Sequence, residues 1–349
     1  MRQTKGSSIY KLLREHEIAY RTIWVFFRIL RMDKEGILSF YRTLMQIAEK
    51  GAVKMLLDKN HTKIGFIGTG VMGKSMAGHL LKAGYPVLVY NRTKARAETL
   101  IERGAIWKNT VAEIAAEANV VISMVGYPKD VEETYLGADG VLAHAKTGTY
   151  VIDMTTSTPA LARSIYETAK AKGIYALDAP VSGGDIGARE ARLAIMVGGD
   201  QAAFEAVAPI LQLMGQNIVL QGEAGAGQHT KMCNQITIAS NMIGVCEAIV
   251  YAKNAGLDPE RVLKSIETGA AGSWSLSNLA PRMIANNFEP GFYVKHFIKD
   301  MGIALETAKE MGIRTPGLEL AKSLYDELAE KGEENSGTQA LYKLLEQKR

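Results

Sequence analysis

Between Lys63 and Lys82 the chain reads KIGFI, then Gly68-Thr69-Gly70-Val71-Met72-Gly73, then a helical run from Met72 to Lys82, and few folds accommodate that order. A short apolar segment passing into three glycines at GxGxxG spacing, and from them into a helix, predicts a strand–turn–helix unit that grips a dinucleotide. Gly68 permits the tight turn, Gly70 lets the backbone approach a pyrophosphate, and Gly73 lets the helix pack closely on the strand. The unpaired amides of the first helical turn then face the phosphates. Gly68, Thr69, Gly70, Val71, Met72 and Gly73 are therefore expected to bind a cofactor.

A second strand, Pro86 to Tyr90, ends in Asn91-Arg92-Thr93, where an NAD-specific site usually carries Asp or Glu. Without that acid the ribose end does not repel a 2′-phosphate. Arg92 can attract one, and Asn91 and Thr93 can hydrogen-bond it, which favours NADP(H). NAD(H) remains possible if Arg92 is only a solvated charge beside the adenine. Further strand signals follow at Asn119–Val125, Thr149–Asp153, Ile174–Leu177, Leu193–Val197 and Asn217–Leu220, with helical patterns between most of them. The alternation predicts an α/β Rossmann-type, doubly wound, parallel-rich sheet. Ligands collect at the carboxyl ends of such strands, so the loops from Val125 to Pro128 and from Met154 to Ser157 become candidates, with Val125 and Thr156 in them.

Three later segments carry more specific chemistry: Asp178-Ala-Pro-Val-Ser182-Gly183-Gly184; Gly225-Ala-Gly227-Gln-His-Thr-Lys231-Met-Cys-Asn234-Gln235; and Pro290-Gly-Phe292 through Lys299-Asp300-Met301. The amides of two glycines after a serine can approach an anion closely, so Ser182, Gly183 and Gly184 can form a small backbone nest for a carboxylate. Lys231 and Asn234 are three residues apart and share a helical face. Together with the glycine loop, these segments resemble the β-hydroxyacid dehydrogenase family over roughly residues 62 to 345. The closest likeness is to members of the 3-hydroxyisobutyrate dehydrogenase and 2-hydroxy-3-oxopropionate reductase kind.

The resemblance implies that Lys231 is the catalytic lysine, donating or removing the hydroxyl proton, with Asn234 holding it and the substrate oxygen in register. It further implies that Ser182, Gly183, Gly184 and Thr156 fix the substrate carboxylate, that Lys299 approaches the cofactor and that Phe292 lines the substrate pocket. A lysine suits such work because burial and cationic neighbours lower its pKa toward neutrality. His229 and Cys233 turn away from the Lys231 face and are expected to be packing residues. Gly269 to Trp274 is a candidate for closing the pocket, with Trp274 equally readable as a core anchor.

From Gly225 on the pattern is helical, with a long apolar helix through Gly256, then Pro259 to Thr268 and Lys299 to Glu310, so an all-α C-terminal domain is expected. The organisation read from sequence is residues 1–60 as a helical extension of unknown role, 61–223 as the dinucleotide-binding domain and 224–349 as an all-α substrate and dimerisation domain. The expected substrate is a small hydroxy acid or its semialdehyde. Family resemblance implies a homodimer or homotetramer. The alternatives weighed are 6-phosphogluconate dehydrogenase, disfavoured for want of a basic cluster; an imine reductase, whose family usually lacks a lysine at Lys231; and a non-catalytic NADP(H)-binding redox sensor.

Composition narrows the rest. With 349 residues, 47% hydrophobic and 22% charged, the chain is ordinary globular material, and a formal charge of +4 without a dense Lys/Arg cluster argues against nucleic acid as a partner. The two cysteines, Cys233 and Cys246, fall within one expected helix and cannot build a disulfide framework, which fits a cytoplasmic setting. The six histidines lack metal-ligand spacing, so no metal is expected. In the first sixty residues, the stretch Tyr20 to Met32 is basic and aromatic but too short in its apolar core to span a bilayer; Glu15, Glu17, Asp33 and Glu35 argue against a transit peptide, and membrane contact of this arm is not expected.

Overall fold

The computed structural model describes residues 57–347, so the expectations for the helical extension before Leu57, with its Tyr20 to Met32 stretch, lie outside the described residues. Strands β1 (Ile64–Ile67), β2 (Val87–Tyr90), β3 (Ile106–Trp107), β4 (Val120–Ser123), β5 (Tyr150–Asp153) and β6 (Tyr175–Asp178) pair in parallel in the order 3-2-1-4-5-6. That is the doubly wound order, with its switch point between β1 and β4. The strands at its centre read IGFI, VVIS and YVID and are buried at every position, as expected of a parallel sheet covered on both faces.

Beyond β6 the sheet changes direction. Strand β8 (Leu193–Gly198) runs antiparallel to β6 and to the two-residue β7 (Val181–Ser182), and parallel to β9 (Gly215–Gly222). The sequence pattern anticipated neither β3 nor β7, because a two-residue strand is too short to show periodicity. Helix α1 (Val71–Lys82) follows β1 directly, and α2 (Pro128–Leu136) follows the β4 loop.

The C-terminal half is helical. Its axis is α3 (Ala226–Asn254), which buries Met232, Gln235, Ala239, Met242, Cys246 and Ile249 at alternating spacings of three and four, one continuous stripe of a helix. By length and composition α3 could cross a membrane, but this stripe packs into the core with α4 (Val294–Glu310), α5 (Pro316–Leu328) and α6 (Leu341–Gln347). Gly256, at φ +70°, ends the run. Helix α4 begins at Val294, five residues ahead of the expected Lys299. Val294, Phe297 and Met301 extend its buried stripe toward the amino end, where the polar Lys295 and His296 mask the period in sequence. The helix expected over Pro259 to Thr268 stops at Ile266. A parallel-dominated Rossmann-type sheet is thus followed by a helical domain, as the sequence pattern implied.

Candidate active site

A cleft of about 1830 Å³ runs from the carboxyl ends of β1, β4 and β5 to the first turns of α3 and α4. At one end lies the glycine loop. Gly68 adopts φ +95°, and a Cβ there would sit 2.2 Å from the Met124 carbonyl oxygen; one on Gly73 would sit 1.9 Å from that of Gly68. A Cβ on Gly70, by contrast, meets nothing within 4 Å among the described residues, because this glycine faces the cleft. The first turn of α1 holds no acidic residue and no side-chain cap, and the buried Thr69 hydroxyl has no partner among the described residues. Uncapped amides and an unpartnered hydroxyl around an open cradle suit a pyrophosphate, so the residues present fit a dinucleotide.

The end of β2 supports this loop. Asn91 Oδ1 accepts from the Thr69 amide at 3.2 Å, while its Nδ2 donates to the Thr93 carbonyl at 2.9 Å. Asn91 and Arg92 line the cleft; Thr93 does not, and instead leads into a short 3-10 turn, Lys94–Ala97. The Arg92 guanidinium lies 3.0 Å from Asp130 Oδ1, whose other oxygen accepts from the Tyr127 amide at the start of α2. Arg96, in that 3-10 turn, also lines the cleft and has no ion-pair partner among the described residues. Sequence reasoning missed it, although a second arginine so soon after the end of β2 was a usable signal.

In the middle of the cleft the β4 and β5 loops are tied together. The Val125 amide donates to Thr155 Oγ1 at 3.0 Å, and Lys299 Nζ donates to the carbonyls of Gly126 at 3.2 Å and Thr156 at 2.9 Å. Lys299 also lies 3.0 Å from Asp300 Oδ1. Beneath them, Ser123 Oγ and the Thr155 amide donate to Asp153 Oδ1, with the Tyr135 hydroxyl against Ser123. Burial pushes the Asp153 carboxyl up to about 6.

At the far end are the residues expected to meet substrate. Ser182 ends β7, Gly183 and Gly184 take φ of +128° and +63°, and Gly184 opens the short helix Gly184–Arg189; all three line the cleft. Phe292 lines it too, half-buried with its ring centroid 5.6 Å from that of Phe297. Lys231 and Asn234 project from α3 into the same space. Lys231 is only 6% exposed, and its side chain makes no hydrogen bond among the described residues. Burial pulls its pKa down to about 8, with Lys299 adding in the same direction and Asp300 opposing.

Asn234 Nδ2 donates to Gln235 Oε1 at 2.7 Å, and Gln235 Nε2 donates to Asp300 Oδ2 at 2.7 Å, which turns the Asn234 carbonyl away from Gln235. Gln235 and Asp300 are nearly fully buried, and the sequence did not distinguish them from surface polar residues. Two expectations need correction. Cys233 is exposed rather than packed, because two residues of helix carry it about 200° away from the buried Lys231. Trp274 is 56% exposed on the cleft wall, so it is no core anchor.

The chain has relatives across the whole of this architecture. Residues 63–222 match the family model for the NAD binding domain of 6-phosphogluconate dehydrogenase, and residues 225–345 match that for the NAD-binding of NADP-dependent 3-hydroxyisobutyrate dehydrogenase. An uncharacterized oxidoreductase of Bacillus subtilis is 69% identical over 281 residues, covering 80% of this chain and 98% of its own. The 2-hydroxy-3-oxopropionate reductase of Escherichia coli is 37% identical, over 81% of this chain and 97% of that protein. In three dimensions the chain resembles Mycobacterium tuberculosis 3-hydroxyisobutyrate dehydrogenase with L-serine, at 32% identity and a TM-score of 0.75, covering 81% of this chain and 99% of that one.

Proposed function

The chain belongs to the β-hydroxyacid dehydrogenase family and is an NAD(P)-dependent oxidoreductase of the 3-hydroxyisobutyrate dehydrogenase-like kind; on that premise we propose that it interconverts a short β-hydroxy acid and its semialdehyde, with NADP(H) preferred and Lys231 as the acid–base group. The observation that carries this reading is the state of Lys231. A buried lysine held near 8, free of hydrogen bonds among the described residues and on the wall of the cleft that holds the glycine loop, is poised to exchange a proton at neutral pH.

The nicotinamide ring, when bound, supplies the hydride in reduction and accepts it in oxidation. In oxidation Lys231 Nζ, neutral beforehand, takes the hydroxyl proton as the carbonyl forms. In reduction the ammonium returns that proton to the developing alkoxide. Asn234 Nδ2 spends one N–H on Gln235 and directs the other at the substrate oxygen, while its carbonyl is free to accept from the Lys231 ammonium. The amides of Gly183 and Gly184, with the Ser182 hydroxyl and Thr156, hold the substrate carboxylate. Phe292 walls the pocket. Lys299 acts on the cofactor side by fixing the Gly126 and Thr156 carbonyls rather than as a free cation.

Preference for NADP(H) rests on Arg92, Arg96 and Asn91, since β2 ends in Asn91 rather than in an acid; Arg92 exchanges its exposed ion pair with Asp130 for a 2′-phosphate. Val125 completes the cofactor side, with Thr93 as a backbone support for Asn91.

The test is loss of nicotinamide absorbance with NADPH and NADH against methylmalonate, tartronate and succinic semialdehydes and glyoxylate, for wild type, Lys231→Ala and Arg92→Ala. Turnover that disappears in Lys231→Ala is expected. Arg92→Ala should raise the Kd for NADPH by roughly 10-fold or more, the worth of one charge-assisted contact, and change that for NADH little. Unchanged turnover in Lys231→Ala refutes the acid–base assignment, and equal losses for both cofactors in Arg92→Ala refute the phosphate contact.

A further inference from the structure

Gln228 is fully buried in the first turn of α3, three residues before Lys231, yet its side chain bonds to nothing in its own helix. Its Oε1 accepts from the Ser157 amide at 2.9 Å and its Nε2 donates to the Thr155 carbonyl at 2.8 Å, gripping the backbone on both sides of Thr156. The same turn of α3 is held from below. The Asp178 carboxylate, at the end of β6, accepts from the Gly225 amide at 2.7 Å and the Gln228 amide at 2.8 Å. Glycines make this approach possible: a Cβ on Gly227 would lie 2.4 Å from the Met196 carbonyl oxygen and 2.8 Å from Asp178 Oδ2, and one on Gly198 would lie 2.5 Å from Asp178 Oδ1.

We infer that Gln228 is a positioning residue for the reaction: it sets the distance between the Thr156 turn, where the substrate carboxylate is held, and Lys231, where the proton moves. The two groups reach the cleft from elements more than seventy residues apart, β5 and α3, and the Gln228 side chain joins them directly. Lys299, from α4, holds the same turn from the other side through the Thr156 carbonyl. A primary amide suits the task because it pairs one donor and one acceptor with a backbone C=O and N–H two residues apart, as a neighbouring strand would. Releasing the grip lets the turn and the lysine drift by a fraction of an ångström or more. A misplacement of about 1 Å can cost roughly 100-fold in rate without weakening binding in proportion.

The inference rests on the reading of Lys231 as the proton carrier, and the experiment separates the two. Gln228→Met keeps the bulk and removes both bonds; Gln228→Glu keeps the acceptor but turns a carboxylate toward the Thr155 carbonyl until it is protonated, when it matches glutamine again. Steady-state kinetics on the best semialdehyde should give Gln228→Met a kcat lower by roughly 10- to 100-fold with KM within about 3-fold. For Gln228→Glu, kcat relative to wild type at the same pH should rise as pH falls, a recovery that a general packing defect does not produce. Hydrogen exchange of the peptide spanning Met154–Thr158 should be about 10-fold faster in Gln228→Met, since the Ser157 amide loses its partner, and it reads the grip whether or not a substrate is in hand. Unchanged exchange, a kcat within about twofold of wild type, or a Gln228→Glu ratio flat with pH overturns the positioning role. Should Gln228→Met fail to fold, the Gln228→Glu pH series decides. A dead Lys231→Ala beside a fully active Gln228→Met sinks only this inference, whereas an active Lys231→Ala sinks the reading beneath it.

Discussion

Replacing Lys231 by methionine is expected to make the protein more stable while abolishing its turnover. Burial holds the Lys231 pKa near 8 instead of 10.5, and at about 1.36 kcal/mol per pH unit the folded state bears a cost of about 3 kcal/mol for keeping the ammonium charged at pH 7. The sign follows from proton uptake. Between pH 8 and 10.5 the unfolded chain keeps the proton that the folded chain has released, so wild-type stability rises with pH across that window, and the full cost is present below it. Methionine keeps the unbranched stem and removes the charge, and Asp300 retains Lys299 at 3.0 Å, so no buried carboxylate is orphaned. Urea denaturation should therefore show Lys231→Met more stable by about 3 kcal/mol at pH 7, narrowing to about 1 kcal/mol at pH 9.5. In a chain of this size such a gap raises Tm by roughly 4 °C. A variant no more stable than wild type at pH 7, or a gap that does not change with pH, would refute the claim that Lys231 is held charged at a cost.

Two further expectations concern chemistry and the cofactor loop. Because oxidation needs neutral Lys231 and reduction needs it protonated, kcat/KM for the hydroxy acid should climb with pH toward a plateau above about 8, and that for the semialdehyde should fall through the same pH; parallel profiles in the two directions count against Lys231 as the proton carrier. Gly70→Ala and Gly73→Ala should separate binding from folding. The first meets no atom of the described residues within 4 Å, so it should leave urea stability within about 0.5 kcal/mol and weaken cofactor binding by fluorescence titration. The second drives a methyl to 1.9 Å from the Gly68 carbonyl oxygen and should cost about 1–3 kcal/mol of stability or more, and identical behaviour of the two variants would be inconsistent with the loop described here.

What the sequence made legible is what short spacing encodes. The strand, the three glycines and α1 are contiguous, so the turn and its cradle follow from local backbone rules. Lys231 and Asn234 share a face because a helix repeats every 3.6 residues, and α3 was readable as one long apolar helix, although not which of its faces is buried. Arg96 lies only four residues beyond Arg92 in sequence. It was overlooked because the turn after β2 is a 3-10 turn followed by a single helical turn, with too little apolar period to mark its faces.

The interior polar contacts obey a different logic, and for that reason they stayed hidden. Asp178 meets the first turn of α3 across 47 and 50 residues of chain, Gln228 meets the β5 loop across 71 and 73, and Gln235 meets Asp300 across 65. A glutamine in a helix reads as a solvated residue until its partner is known, since polar side chains are mostly exposed and nothing local distinguishes the exception. Yet a buried amide or carboxylate left unpartnered costs about 1–3 kcal/mol or more, so the fold must supply a partner for each one it buries. The glycines at 198 and 227 are the local trace of that requirement. Each sits where a Cβ would displace the Asp178 carboxylate from the α3 amides. Their presence beside the Lys231 helix ties the rigidity of the site to backbone contact that no side chain larger than hydrogen would allow.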